Sequence, residues 1–581
     1  MRHPLPTLTL IGLLALTACS SDGDDTAAET TAAAPTTVAE TVPEDTTPEE
    51  TTPATDAPTT TEAPPEPVAL LAAGAEIGAA NGIFFDAQDR LWVASVGSGI
   101  FVVDPDSGET LEHYPGNVAS ADDVTVGADG TVYFTDIING QVGIIDPDGT
   151  LREERLAVAP GANSIAFSDD GRLFVGADFL GDGLFEVDPT GATPPRVVTP
   201  DPGWLNGMDF GPDGFIYAPR WTEGTIVRAD PETGELTTIA DNSESVYSAV
   251  KFDPDGVLHA VEGLPAHVVE VDIATGETTI LATLDGTNDN LAFDSTGRLF
   301  VSSSQNGSIH EILDDGSIRI VKEPALSASA GMVVEEVDGV EQVTVLTIQA
   351  LVTLDGETGE ELSRLGSVPD AGFALEQPAL GGSLRSDDEG LLVLDWAPGG
   401  GAEVWDLDGD AVTATYPIDF GFDVIRFGGE LYSSVSLANN VSRLSATGSE
   451  IVFEVNAPTG LAATETELYV ASLADGTILQ LADDGALLDA PTVVAEGLNA
   501  PEGLAVLPDG DLVIVETGSG NVTRVDLSTG ESTVLAEGIS PAYTLADFYP
   551  AFTPSSVAVA PSGNIYVTSP ADGNVWRILA S

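Results

Sequence analysis

A unit of about 42 residues recurs twelve times, apolar strands alternate inside each unit, and turn residues punctuate them. These three features predict an all-β chain of twelve four-stranded blades, arranged as two six-bladed β-propellers in tandem. Composition agrees. The 581 residues include 62 Gly and 38 Pro, which favour short strands and many turns over long helices. Hydrophobic residues make up 43% and charged ones 19%, enough apolar material for several cores.

Taken in chain order, residues 1–18 read as an export signal: MRHP is a short basic start, and LTLIGLLAL is an apolar run too short to span a membrane as a mature helix. Leu16-Thr17-Ala18-Cys19 then resembles the cleavage box of a bacterial lipoprotein, in which the Cys19 thiol is lipidated; an ordinary signal peptide with a chance cysteine is the plainer alternative. The expected location is the outside of the cytoplasmic membrane, held only by that lipid. Residues 19–67 form the next segment, and from Ser20 to Pro67 it holds twelve acidic side chains and no basic one among repeated Thr, Pro, Ala and Glu. Such a stretch cannot bury a core, and reads as an extended solvated stalk.

The repeats begin after it. The clearest copies are NGIFFDAQDRLWVAS (81–95), DDVTVGADGTVYFTD (122–136), NSIAFSDDGRLFVGA (163–177), NGMDFGPDGFIYAPR (206–220), SAVKFDPDGVLHAVE (248–262) and DNLAFDSTGRLFVSS (289–303), whose first residues lie 41, 41, 43, 42 and 41 apart. Each reads as strand, tight turn and strand. A third strand ends in a DPDSGE-like turn (104–109, with relatives at 146, 188, 230 and 272), and a more polar fourth strand follows. The DPDSGE segments lack the twelve-residue calcium-loop pattern and read as turns. Six looser copies run from MVVEEVDGVEQVTVLTIQ to SSVAVAPSGNIYVTS, and PALSASAG separates copies six and seven. The expected domains are therefore 68–325 and 326–581. The last copy stops at NVWRILAS without a fourth strand, while PVALLAAG (67–74) supplies a strand before the first copy. That strand either is a spare edge of the first ring or completes the last blade, stitching the two ends together.

Ninety-four Asp and Glu stand against 18 Lys and Arg, a formal net charge of −76. Nucleic acid is excluded as a partner because binding it requires phosphate neutralisation, and the same field opposes anionic lipid. The coat suits a saline or cation-rich exterior. One cysteine excludes a disulfide framework, and the five histidines show no ligand spacing. His259 falls where other copies carry Trp92 or Tyr133, a packing position.

In a propeller the residues that open the innermost strands ring one channel mouth. Here these are Asn81, Asp122, Asn163, Asn206, Ser248 and Asp289, all oxygen-bearing and suited to Ca²⁺, to another divalent cation, or to a polar ligand. Second strands end at the same mouth with Asp136, Arg220 and Glu262 among them, and Arg220 could fix an anion or neutralise its neighbours. The alternative is that these Asn and Asp only satisfy turn backbone. Equivalent positions in the second half include Asp423, Thr459, Glu502 and Ser555, and an insertion, SPAYTLADFYPAFTP (540–554), brings Tyr543, Phe548, Tyr549 and Phe552 toward that mouth. It suits a carbohydrate or other flat ligand, or packing between rings.

The blade pattern, above all LNGMDFGPDGFIYA around Asn206, resembles the SMP-30/gluconolactonase superfamily of six-bladed propellers, with NHL-repeat and strictosidine synthase-like propellers as relatives. The resemblance implies a divalent metal at the channel mouth held by a Glu, two Asn and an Asp, and hydrolysis of sugar lactones. By blade order those positions hold Asn81, Asn163, Asn206 and Ser248 in this chain, so both Asn are kept and both carboxylates are missing, although Asp122 and Asp289 could compensate from other blades. Two functions are therefore expected. The favoured one is a lipid-anchored, extracytoplasmic module that binds a small polar ligand, a carbohydrate or an extracellular protein; the alternative is a metal-dependent lactone or ester hydrolase.

Overall fold

The second strand of almost every unit is buried on both faces. Leu91–Ser95, Val132–Asp136, Leu173–Ala177, Leu468–Ser472 and Leu512–Glu516 expose none of their residues, whereas the fourth strand Thr110–Tyr114 is largely open. Sheets stacked face to face bury their inner strands from both sides and leave the outermost one wet, which is why the inner strands read as short apolar runs and the outer ones as Thr and Glu. The computed structural model describes residues 67–115, 120–221, 223–242, 246–264, 266–347, 350–365, 381–387, 390–395, 401–405, 412–418, 421–539 and 554–580. Within them lie twelve four-stranded antiparallel sheets, and the one helical element described is a 3-10 turn at Ser436–Ala438.

Eleven of the twelve sheets take four consecutive strands. The first pairs Ala80–Phe85, Leu91–Ser95, Gly99–Val103 and Thr110–Tyr114 in that order. The twelfth differs: Val557–Val559, Ile565–Ser569 and Asn574–Ile578 are completed by Val68–Ala72 from the start of the chain. Its register pairs Val68 with Ile578, Ala69 with Arg577 and Leu70 with Trp576. Of the two placements the sequence left open for 68–73, the structure takes the one that completes the last blade. An unpaired Asn574–Ile578 would be an exposed edge, and the N-terminal strand covers it.

The cores lie between sheets. Trp92, Ile100 and Val102 of the first sheet pack with Val124, Val132 and Phe134 of the second. The first sheet also packs on the sixth, through Ile83, Val93 and Phe101 against Phe300 and Ile309, and the seventh packs on the twelfth, through Met332, Val343 and Val345 against Tyr566 and Val575. Between seventh and twelfth, the Tyr566 hydroxyl donates to Glu341 Oε2 at 2.6 Å and to the Gly356 carbonyl at 3.1 Å.

The recurrent Asp of the DPDSGE-type turns accepts backbone N–H groups two and three residues on, as Asp104 does from Asp106 at 3.1 Å and Ser107 at 2.8 Å, so these are turns and their carboxylates are spent locally. The glycine of the motif has a second role. Gly108 (φ +73°) lies against the Val321 carbonyl of the sixth sheet, and Gly359 (φ +75°) lies against the Leu71 carbonyl, with no space for a Cβ at either. A Gly at this point lets each turn rest on the outer strand of the neighbouring sheet. His259 packs edge-on against Phe293 at 5.0 Å, the packing role its place in the repeat predicts.

Candidate functional site

Each inner strand opens beside the end of its second strand, and the residues at these openings converge in the first half of the chain. Asn81 Nδ2 donates to Asp289 Oδ2 at 3.1 Å, joining the first and sixth sheets, while Asn81 Oδ1 accepts the Val96 N–H at 3.2 Å. Asp122 is buried, and burial first, then the charges of Asp289 and Asp123, push its carboxyl well above the usual carboxylate range. Asp289 keeps some contact with solvent; burial lifts its pKa to about 6, against the relief given by hydrogen bonds from Ser304 and Asn81. Asn163 is buried in the third sheet beside Asp178.

Asp178 is a residue that sequence reasoning missed. It follows Ala177, where the other copies carry Val96, Ile137, Trp221, Gly263 and Ser304, so it is the one carboxylate at that place in the first six copies. Its side chain is 0% exposed and neither oxygen has a hydrogen-bond partner. Burial, and next the charge of Asp122, push its pKa well above the ordinary value; Asn163 eases this, yet not through a hydrogen bond of proper geometry. A buried carboxylate left without donors is unfavourable by about 1–3 kcal/mol, more if it is charged. The mouth therefore gathers Asp122, Asp178 and Asp289, with Asn81 and Asn163, in surroundings short of hydrogen-bond donors.

The other predicted residues are occupied. Asp136 Oδ1 and Oδ2 take the side chain of Asn139 within its own turn, at 3.2 and 2.9 Å, along with the Ser120 hydroxyl. Arg220 pairs with Glu223 at 2.8 Å, and its Nε is buried without a partner. Glu262 Oε2 meets His267 Nδ1 at 2.9 Å. Asn206 Oδ1 accepts the Gly207 N–H at 2.7 Å, and the Ser248 hydroxyl donates to the Asn288 carbonyl at 3.0 Å. Three of the four positions that the family resemblance assigns to a metal, Asn81, Asn206 and Ser248, thus have polar atoms hydrogen-bonded within the protein, and the set of four, with no carboxylate in it, does not fit a metal. Among the described residues no group of three or more His, Cys, Asp or Glu side chains is placed to hold one.

Beneath the mouth lies a second layer, also unseen in the sequence. Asp123 Oδ2 accepts the Ile165 N–H of the next sheet at 3.1 Å, and Asp123 Oδ1 accepts Asn290 Nδ2 at 3.2 Å. Burial raises its pKa and the charge of Lys251 lowers it. In the second half Asp423 accepts the Val424 N–H at 2.9 Å, as Asp123 accepts the Val124 N–H at 2.9 Å, and the Leu461 N–H of the next sheet at 2.7 Å, so it is the counterpart of Asp123 and not of Asp122. Register explains the one-residue difference: Asp423 N–H donates to Ser434 Oγ at 3.1 Å just as Asp123 N–H donates to Thr135 Oγ1 at 2.9 Å. Arg385 bonds Asp423 at 2.6 Å and also reaches the Leu461 and Leu504 carbonyls at 2.8 and 3.3 Å, tying several sheets together.

Glu502 opens the eleventh sheet and accepts the Ser555 N–H at 3.0 Å. Burial lifts its pKa to about 7, against hydrogen bonds from Ser555 and Thr517. That value suits a general acid or base. The space it shares with Arg385, Asp423 and Ser555, however, has room for about one water molecule. Thr459 Oγ1 donates to the Pro501 carbonyl at 2.7 Å. Cys19, the 20–66 stalk and the aromatic loop with Tyr543, Phe548, Tyr549 and Phe552 lie outside the described residues. Among the described residues no helix is long and apolar enough to cross a membrane.

No family model matches the chain, and no curated protein does. Among solved structures, the chain is similar to virginiamycin B lyase from Staphylococcus aureus (16% identity, TM-score 0.35), over 48% of this chain and 95% of that one. It is also similar to a gluconolactonase from Xanthomonas campestris (18%, TM-score 0.33), over 41% and 86%. A longer match, 86% of this chain and 71% of the other, is to a protein described as the extracellular domain of a one-component system from B. thetaiotaomicron (13%, TM-score 0.32).

Proposed function

We propose that the chain is an extracytoplasmic double β-propeller, held to the membrane through lipid on Cys19, whose first ring binds a polar ligand at its channel mouth. Two six-bladed rings are supported by the packing of the first sheet on the sixth and of the seventh on the twelfth. The observation that carries the binding reading is Asp178, buried and without donors beside Asp122 and Asp289. A site built this way gains most from a ligand that brings N–H or O–H donors or positive charge. The field of a chain with net charge −76 draws cations to it and repels anions. Lactone hydrolysis has less support: two of the metal positions implied by the resemblance, Asn206 and Ser248, hold internal hydrogen bonds, and among the described residues the space beside Glu502 has room for about one water molecule.

The test is melting temperature with calcium chloride and with a panel of amines and polyols, on the native chain and on Asp178→Asn. A ligand present at about a hundred times its Kd stabilises by about 2.7 kcal/mol, a readily measured shift. Stabilisation of the native chain that Asp178→Asn abolishes is expected. If no compound acts, or if the variant responds like the native chain, the reading fails. Stabilisation by calcium alone, together with turnover of a lactone, would restore the hydrolase.

A further inference from the structure

Three aromatic rings meet at the end of the third and fourth sheets, on the loops that also carry Asp178 and Arg220. Phe179 lies 5.6 Å from Trp204 and 4.9 Å from Trp221, and the two Trp rings are 6.5 Å apart. Their planes are inclined by 40°, 62° and 29°, so the rings form a cornered cluster and not a flat stack. Phe179 is 37% exposed and its neighbour Leu180 44%, and both Trp side chains are half-buried. This cluster is held at a backbone cost. Phe179 and Trp204 both adopt left-handed conformations, φ +50° and +57°, which bulky residues rarely take and which recur at ligand clamps. Asp182 fixes the Trp204 loop, accepting the Trp204 N–H at 3.1 Å and the Gly203 N–H at 3.2 Å, and Trp221 N–H donates to the Trp204 carbonyl at 3.1 Å.

Elsewhere the chain places its few cations over aromatic faces: Arg228 lies 3.4 Å from the centre of Phe215, Arg172 5.1 Å from Phe174 and Arg90 5.5 Å from Trp92. Among the described residues no Arg or Lys lies over Phe179, Trp204 or Trp221. Arg220, the adjacent cation, is directed to Glu223. Around the rings the same loops carry Asp182, Asp201 and Glu223, beside the fully buried Asp178, so the local charge is negative after that pair is counted. Aromatic faces without a resident cation, in an acidic field, are the recognition chemistry of a soft, weakly hydrated cation.

Resting on the binding function proposed above, we propose that this mouth takes a small molecule bearing a quaternary ammonium group, seated against Phe179, Trp204 and Trp221 with Asp182 and Asp201 of the neighbouring loops supplying the counter-charge. A methylated ammonium loses little on leaving water and gains from an aromatic face. Neutral sugars or alcohols of the same shape lack the charge that both the rings and the carboxylates favour. The wider acidity of the chain speeds capture of a cation and makes binding weaken with salt.

The experiment is calorimetric titration of the full chain with choline at low ionic strength, beside its uncharged isostere 3,3-dimethylbutan-1-ol and a methyl glucoside. Choline is expected to bind at least tenfold more tightly than the isostere, with affinity falling as salt rises. Trp221→Leu and Phe179→Leu, which keep apolar bulk and remove a ring face, are expected to weaken choline at least fivefold in chains that still unfold cooperatively. Equal binding of choline and isostere, no binding of choline, or glucoside binding that Trp221→Leu removes would each overturn the proposal. Loss of this proposal is separable from loss of the wider function. If choline fails while another compound of the panel stabilises the native chain and not Asp178→Asn, the mouth still binds a ligand and only its chemical class is wrong.

Discussion

Gly359→Ala examines how the two ends of the chain are joined. Gly359 has φ +75°, and a Cβ there would fall 1.9 Å from the Leu71 carbonyl oxygen. Two costs follow. A left-handed conformation costs a non-glycine residue about 1–2 kcal/mol, and forcing the packed Leu71 backbone aside adds about 1–3 kcal/mol, the usual range for overpacking. In the intact chain the substitution should therefore cost about 2–5 kcal/mol. In a chain lacking residues 67–72 the steric part disappears, and only about 1–2 kcal/mol should remain. The measurement is urea denaturation of the four proteins of this cycle at low protein concentration, since the shortened chain exposes the Asn574–Ile578 edge. Gly108→Ala is the control: its carbonyl neighbour is Val321, also in the intact sixth sheet, so its cost should be the same with and without the N-terminal strand. Equal costs of Gly359→Ala in both backgrounds would refute the placement of Val68–Ala72 as the outer strand of the twelfth sheet.

Two further outcomes are expected. Glu502 has a folded pKa of about 7 against an ordinary 4.5, so the folded state favours its neutral form. The stability from this group is whole below about pH 4.5 and is lost as pH rises through 7, a change of about 3 kcal/mol; Glu502→Gln should remove that component, and superimposable stability profiles of the two proteins over pH 4.5–8 would show the carboxyl is not so perturbed. Tyr566→Phe removes the 2.6 Å bond to Glu341 that joins the seventh and twelfth sheets, and should cost about 1.5–3 kcal/mol, the range for hydrogen bonds to charged groups; an unchanged urea midpoint would mean that the junction is held by apolar packing alone.

The sequence carried the sheets almost completely because they are written locally. Alternation along NGIFFDAQDRLWVAS, a tight turn and the next alternating run specify a hairpin within fifteen residues, and repetition of the unit specifies the count. The site was only partly legible. Asn81, Asp122, Asn163 and Asp289 could be named as a set because each opens an inner strand. Asp136 and Asp423 look like them in the sequence and are spent otherwise, on an adjacent Asn139 and on Arg385. Asp178 lies one residue past the end of its copy, outside the positions compared, and alignment of the copies is the one signal that marks it.

By itself the sequence determined the all-β class, the repeat, the turns, the acidic coat and the rarity of lysine. The tertiary structure alone decided where the scarce donors go: both lysines, Lys251 and Lys322, are buried, one reaching the Met208 carbonyl at 3.1 Å and the other Glu76 at 2.7 Å. It also decided that Val68–Ala72 pairs with Asn574–Ile578 at the other end of the chain and that Asp178 receives no donor. The physical reason is range. Strand alternation and turn geometry are satisfied by neighbours in sequence, whereas the partner of a buried carboxylate is set by which distant sheets close around it, and only the folded chain brings those together.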